Sequence, residues 1–218
     1  MTPSSRSGVA PEVLVIAKAP VPGRVKTRLC PPLTFDQAAG LAEAALVDTL
    51  EAVAGSRVTR RTLVLDGEPG PWLLPGFRVI PQSGGGLDVR LAAAFDQAKA
   101  SALLVGMDTP QVTPDLLDHC LGLLDRPGVD AVLGLAEDGG WWAIGLRRPD
   151  PRVFLGVPMS TWTTGLAQRA RLRSLGLRCV ELPRLRDVDR FEDAVAVASR
   201  APGSRFAHAL TGVHAGRP

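Results

Sequence analysis

Short, continuously apolar runs that stop at Gly-, Pro- and charge-rich loops recur along this chain, with helical patterns between them, and that alternation constrains the fold more than any other feature. Residues 13–17 (VLVIA) are apolar without interruption, as in a parallel strand buried on both faces. Over 36–54, Ala38, Leu41, Ala42, Ala45, Leu46, Thr49 and Val53 recur at helical spacing, with Thr34 placed to cap and Gly55 to stop. Strands follow over 62–65 and 77–80, separated by GEPGPWLLPG, whose prolines and glycines forbid regular structure. A helix over 89–100, a strand over 102–106 (ALLVG) and a helix over 114–124 opened by Thr113 come next. Strands over 130–135 and 141–146, a helix over 162–175, a strand over 177–182 and a helix over 190–199 complete the pattern. The order β-α-β-β-α-β-α-β-β-α-β-α predicts an α/β fold, a three-layer α/β/α sandwich with a mostly parallel sheet. In such sheets ligands bind beyond the carboxyl ends of the strands.

A single domain is expected over 12–200, with 1–11 a flexible N-terminus. The small and polar stretch 201–218 (APGSRFAHALTGVHAGRP) is expected to be partly disordered. Neither a leader nor a membrane span is readable before residue 13, which predicts a cytoplasmic protein with no membrane partner. Cys30, Cys120 and Cys179 lie far apart and form no CxxC pair, against a zinc site or a disulfide framework. The net charge is +3, and the 25 Lys and Arg residues are scattered rather than blocked. No nucleic-acid partner is expected.

Four stretches carry chemistry. In AKAPVPGRVKTRL, residues 17–29, Lys18, Arg24, Lys26 and Arg28 crowd a loop directly after the first strand, and Gly23 allows close backbone approach. Such a loop can wrap a polyphosphate. It is not a Walker A loop, because Val25 and Pro20 stand where that motif needs glycines. In LLVGMDTP, residues 103–110, a buried strand delivers Asp108 to the edge of the sheet, where a carboxylate can hold Mg²⁺ or Mn²⁺ against phosphates. In AEDGGWWAIGL, residues 136–146, Asp138, Gly139, Gly140 and Trp141 or Trp142 offer either an acceptor pocket or a plain hairpin. In RLRDVDRFED, residues 184–193, Asp187 and Asp189 are two apart, so extended backbone turns both to one side, where they could share an ion with Asp108. QSGGGLDVRL, residues 82–91, adds Gln82, Gly85, Asp88 and Arg90 as a seat for a base or ribose, with a flexible linker as the alternative. The histidines, His119, His208 and His214, stand apart from these loops, which disfavours covalent catalysis.

AKAPVPGRVKTRL, GMDTP, EDGGWWAIGL and DVDRFED occur here in the order and spacing of a bacterial family of radical-SAM/selenodomain-associated transferases. The chain resembles that family over roughly residues 12–195, and it is more distantly similar to 2-phospho-L-lactate guanylyltransferases. The resemblance implies a nucleotide-diphospho-sugar transferase (GT-A) like fold. It also implies phosphate binding by Lys18, Arg24, Lys26 and Arg28, and a Mg²⁺ or Mn²⁺ ion on Asp108, Asp187 and Asp189. Trp141 stands where the family usually has Tyr, and Asp88 and Val89 replace the small residue and acid expected before Arg90.

Several cations beside a metal suit a triphosphate with a pyrophosphate leaving group. The expected function is therefore metal-dependent transfer of a nucleoside monophosphate from a nucleoside triphosphate to a small phosphorylated or anionic acceptor. Lys26 and Asp108 would be central to catalysis; Gln82, Gly85 and Arg90 would hold the nucleotide with Gly23 and the basic loop. The alternatives are glycosyl transfer from a nucleotide-sugar and nucleotide binding without catalysis.

Overall fold

A computed structural model describes residues 10–215. Strands β1 (Glu12–Lys18), β2 (Arg60–Asp66), β3 (Arg78–Pro81), β4 (Ala102–Gly106), β5 (Ala131–Leu135), β6 (Trp141–Leu146) and β7 (Cys179–Glu181) form one sheet in the order β3-β2-β1-β4-β6-β5-β7. The pairs β1–β2, β1–β4, β2–β3 and β5–β7 are parallel, and β6 runs antiparallel between β4 and β5. The fold is α/β with a mostly parallel sheet.

Alternation along each strand feeds two cores. Val13 and Val15 of β1 face a cluster built with α1 (Phe35–Gly55) and α3 (Pro114–Leu124); Leu14 faces one built with α2 (Leu87–Asp96) and α4 (Thr164–Ser174). The long α1 is closed at its start by a reciprocal cap, in which Thr34 accepts from the Gln37 N–H and Gln37 accepts from the Thr34 N–H. The irregular segment at 67–77 is not idle, since Trp72 is buried against the first core.

The expected disorder of 201–218 is corrected over 201–215, while 216–218 lie outside the described residues. Beyond α5 (Phe191–Arg200), residues Arg205–Ala215 form helix α6. Phe206 and Leu210, four apart and therefore on one face, are buried against Leu41 and Ala45 of α1 and Val197 of α5. Asp48 of α1 accepts from the Arg205 and Phe206 N–H groups, satisfying donors the new helix leaves open. Two apolar residues at helical spacing outweigh a composition of small residues. The described residues thus add an outer α5–α6 pair to the three layers, while the expectation for residues 1–9 lies outside them. No helix among the described residues is long and apolar enough to cross a membrane.

Candidate active site

The first loop leaves the carboxyl end of β1, turns at Gly23 (φ 74°) and ends in a short 3-10 turn, Thr27–Leu29. Lys26 has φ 48°, an uncommon value for a residue with a Cβ. Its side chain, 10% exposed, runs inward to place Nζ 2.5 Å from Asp108 Oδ1 and donates to the Val188 carbonyl. One ammonium group therefore ties the basic loop to two acidic segments.

Those segments are stitched together through their backbones. The Val188 N–H donates to the Asp108 carbonyl at 2.8 Å, and Gln111 Nε2 donates to the Arg186 carbonyl at 2.5 Å. The Glu137 N–H donates to the Leu185 carbonyl at 2.9 Å, so the 136–140 turn joins the same edge. The acidic pair of that turn divides its work. Glu137 points outward to Arg186 and Arg200, which hold its carboxyl below the usual range, Arg200 first. Asp138, also exposed, lines the cavity and accepts from the Gly140 N–H at 2.7 Å.

Together these loops enclose a cavity of about 770 Å³ beyond the strand ends, within the size range of small-ligand sites. Lys18, Arg24, Lys26 and Arg28 line it together with Asp108, Asp138, Asp187 and Asp189. Gln82 and Arg90 lie at the end nearest β2 and β3, and Gly140 and Trp141 close the end nearest β5 and β6. Trp142, the next residue in the strand, turns away and donates from Nε1 to the Pro183 carbonyl at 3.0 Å. That choice between the tryptophans follows from strand alternation.

Three glycines expected at the site do not line it. Gly23, Gly85 and Gly139 have φ values of 74°, 97° and 94° and bend their loops instead. At Gly139 a Cβ would fall on the Trp162 carbonyl oxygen. Asp88 is also engaged elsewhere, accepting from the Gly156 N–H at 3.0 Å. The sequence reading missed Met159, Ser160, Thr161, Trp162 and Arg190, which complete the wall. The only signal was a tryptophan in an otherwise polar run, and Trp162 is 77% exposed at the rim.

The electrostatics bear on the metal. Burial pushes Asp187 up to about 6, and the Asp138 and then Asp108 carboxylates add to it, while Lys26 opposes them. Asp189 pairs with Arg28 at 2.6 Å, and both groups are well exposed. Among the described residues, no three His, Cys, Asp or Glu side chains converge as a formed metal site. The donor set nevertheless suits a hard divalent ion: Asp108, Asp187 and Asp189 offer carboxylate oxygens only, with one more negative charge than Lys26 and Arg28 offset.

Fold and cavity define a transferase of the nucleotide-diphospho-sugar transferase (GT-A) like class. The chain is 27% identical, with a TM-score of 0.83, to a protein of Desulfovibrio desulfuricans G20 assigned to the nucleotide-diphospho-sugar transferases; the match covers 94% of this chain and 95% of that one. Residues 43–161 match the family described as "Uncharacterized protein conserved in bacteria (DUF2064)", and the chain belongs to that family. It is also 34% identical over 201 residues to the 3-phospho-D-glycerate guanylyltransferase of Phenylobacterium zucineum (strain HLK1), across 85% of this chain and 89% of the relative. A mannosyltransferase of Pyrobaculum calidifontis, bound to GDP-Man and Mn²⁺, shares the fold at 13% identity and a TM-score of 0.55, over 91% of this chain and 64% of that one. The radical-SAM/selenodomain association stays an expectation of the sequence.

Proposed function

We propose that this protein is a guanylyltransferase that moves a guanylyl group from GTP to a small phosphorylated acid. The observation that carries the reading is the apposition, in one cavity, of Lys18, Arg24, Lys26 and Arg28 with Asp108, Asp187 and Asp189. A cation set of that size suits a triphosphate and its departing pyrophosphate. The guanine and the phosphorylated-acid acceptor are suggested by the relative in Phenylobacterium zucineum.

The acceptor enters from the side of Asp138, Gly140 and Trp141. One of its anionic oxygens attacks the α-phosphorus in line with the bond to the β-phosphate. A new P–O bond forms as the Pα–O bond to the β-phosphate breaks, and pyrophosphate leaves with the electron pair. A phosphate or carboxylate oxygen is already deprotonated at neutral pH, so the step needs no general base. Lys26, released from Asp108, and Arg24 and Arg28 neutralise the charge that develops on the phosphoryl oxygens and the leaving group. Asp108, Asp187 and Asp189 would hold Mg²⁺ or Mn²⁺, which when bound supplies further neutralisation of phosphate oxygens. Three free cysteines among the described residues suit a reducing cytoplasm, the compartment this reading assigns.

The test is to incubate the protein with GTP, Mg²⁺ or Mn²⁺ and a panel of phosphorylated acids including 3-phospho-D-glycerate, measuring pyrophosphate release and product by ³¹P NMR. Pyrophosphate that depends on both GTP and an acceptor is the expected result. Turnover of GDP-sugars with no turnover of any triphosphate would replace guanylyl transfer by glycosyl transfer.

A further inference from the structure

Trp162 is the most exposed large hydrophobic side chain among the described residues, at 77% against 54% for Phe35 and Leu166, which come next. It stands on the cavity wall, and its Nε1 has no hydrogen-bond partner among the described residues. Apolar side chains scattered singly over a surface need no explanation, but the backbone under this one is pinned. A Cβ at Gly139 would fall on the Trp162 carbonyl oxygen, and the Gly165 N–H donates to the Gly139 carbonyl at 2.8 Å. On either side of Trp162, the Thr161 N–H donates to Thr164 Oγ1 and the Thr164 N–H to the Thr161 carbonyl, both at 3.0 Å. Ser160 has φ 58°, a left-handed value that a residue with a Cβ keeps only where its surroundings impose it. The segment is therefore fixed against the 136–140 turn, while nothing ties down the indole it carries.

The indole borders two spaces. It lines the main cavity, and it lines a second of about 170 Å³ together with Gly139, Gly140 and Leu166. Gly139 stands between Asp138 and Gly140, both of which line the main cavity, so the pinned Trp162 sits within a residue of the groups proposed to receive the acceptor. Laying the indole over a ligand there fixes only two side-chain torsions, a small entropic cost for so large a contact. An uncharged ring has nothing to offer the anionic oxygens of a phosphorylated acid, which the cations and the metal attract. It can cover the carbon skeleton, and the apolar area it removes from water then contributes to binding.

We infer that Trp162 is an acceptor-binding residue whose indole folds over the carbon skeleton of the phosphorylated acid. This deepens the guanylyltransferase reading and rests on it. Trp162→Ala raises the acceptor KM by roughly 10- to 100-fold, the worth of burying a large apolar side chain, and leaves the KM for GTP near wild type. Trp162→Phe keeps a ring and most of the affinity. Leu166 lines the smaller cavity and not the main one, so Leu166→Ala changes neither constant.

The experiment uses the full chain with Mg²⁺ in two arms. Steady-state pyrophosphate release from GTP, with 3-phospho-D-glycerate, 2-phospho-D-glycerate and 2-phospho-L-lactate as acceptors, gives both KM values for the wild type, Trp162→Ala, Trp162→Phe and Leu166→Ala. Acrylamide quenching of tryptophan emission is then followed as the best of these acceptors is added to the complex with α,β-methylene-GTP, whose P–C bond blocks transfer. The expected result is a raised acceptor KM in Trp162→Ala alone, with quenching that falls on acceptor binding in the wild type and does not fall in Trp162→Phe. The wild-type quenching needs no variant to fold. An unchanged acceptor KM in Trp162→Ala, an equal rise in Leu166→Ala, a GTP KM that rises in step, or quenching that the acceptor leaves unaltered would overturn the inference while guanylyl transfer stands. No pyrophosphate from the wild type with any of the three acids would instead overturn the guanylyltransferase reading, and the inference with it.

Discussion

Asp187→Asn should make the metal-free protein more stable while removing its response to divalent ions. Burial, then Asp138 and Asp108, raise the Asp187 carboxyl from 3.8 to about 6. Its folded-state pKa therefore lies above the unfolded value, so the ionised form is disfavoured by folding. The penalty is absent below about pH 4, develops as pH rises through about 6, and is complete at pH 7.5. A shift of that size is worth at most about 3 kcal/mol, and the part of the group still in contact with solvent reduces this to about 1–2 kcal/mol. Asparagine keeps the shape and discards the charge. In EDTA at pH 7.5 the variant should melt about 3–6 °C above the wild type in a scan checked by urea denaturation. At pH 4.5 the gap should shrink. With millimolar Mn²⁺ the order should reverse, because only the wild type gains binding energy from the ion. An Asp187→Asn protein less stable than wild type at pH 7.5 in EDTA would refute the claim that like charges crowd this wall, and an undiminished Mn²⁺ stabilisation would remove Asp187 from the ligand set.

Two further variants probe the frame around the site. Phe206→Ala should cost about 3–5 kcal/mol by urea titration, because the ring is buried between α1, α5 and α6; a loss below about 1 kcal/mol would mean that α6 is not docked in solution. Gly139→Ala, forced into φ 94° with its methyl on the Trp162 carbonyl, should cost at least about 2 kcal/mol and displace the 160–165 segment. A wild-type denaturation midpoint for Gly139→Ala would show that the 136–140 turn and the Trp162 segment do not meet as described.

The strands were legible because residues buried on both faces leave an uninterrupted apolar run, as in 13–17 and 102–106. Strand direction leaves no such trace, and nothing in WWAIGL marks β6 as antiparallel. The tail misled for a different reason. Phe206 and Leu210 are too few to raise its mean hydropathy, yet their spacing of four is enough once α1 and α5 offer a surface. In the site, the carboxylates and cations of 17–29, 108 and 187–189 announced themselves by charge at strand ends, and all reach the cavity. Side-chain direction in turns was not legible: nothing in EDGG says that Glu137 faces Arg186 and Arg200 while Asp138 lines the cavity.

Reading the basic loop and the acidic segments as separate phosphate and metal subsites captures only part of their relation. Lys26 is paired with Asp108, and Arg28 with Asp189, so two of the cavity's cations rest on carboxylates that the metal would use. For Lys26, 10% exposed, the pairing matters most, because a buried charge left without a partner is costly. Asp187 has no ion pair of this kind, and burial, then the Asp138 and Asp108 carboxylates, push its carboxyl up to about 6 with only Lys26 opposing them. A metal–triphosphate complex carries both missing charges at once, positive for the carboxylates and negative for Lys26 and Arg28. Either charge arriving alone would free one partner of a pair and strand the other, so the arrangement favours the complete complex over the bare ion or the bare nucleotide.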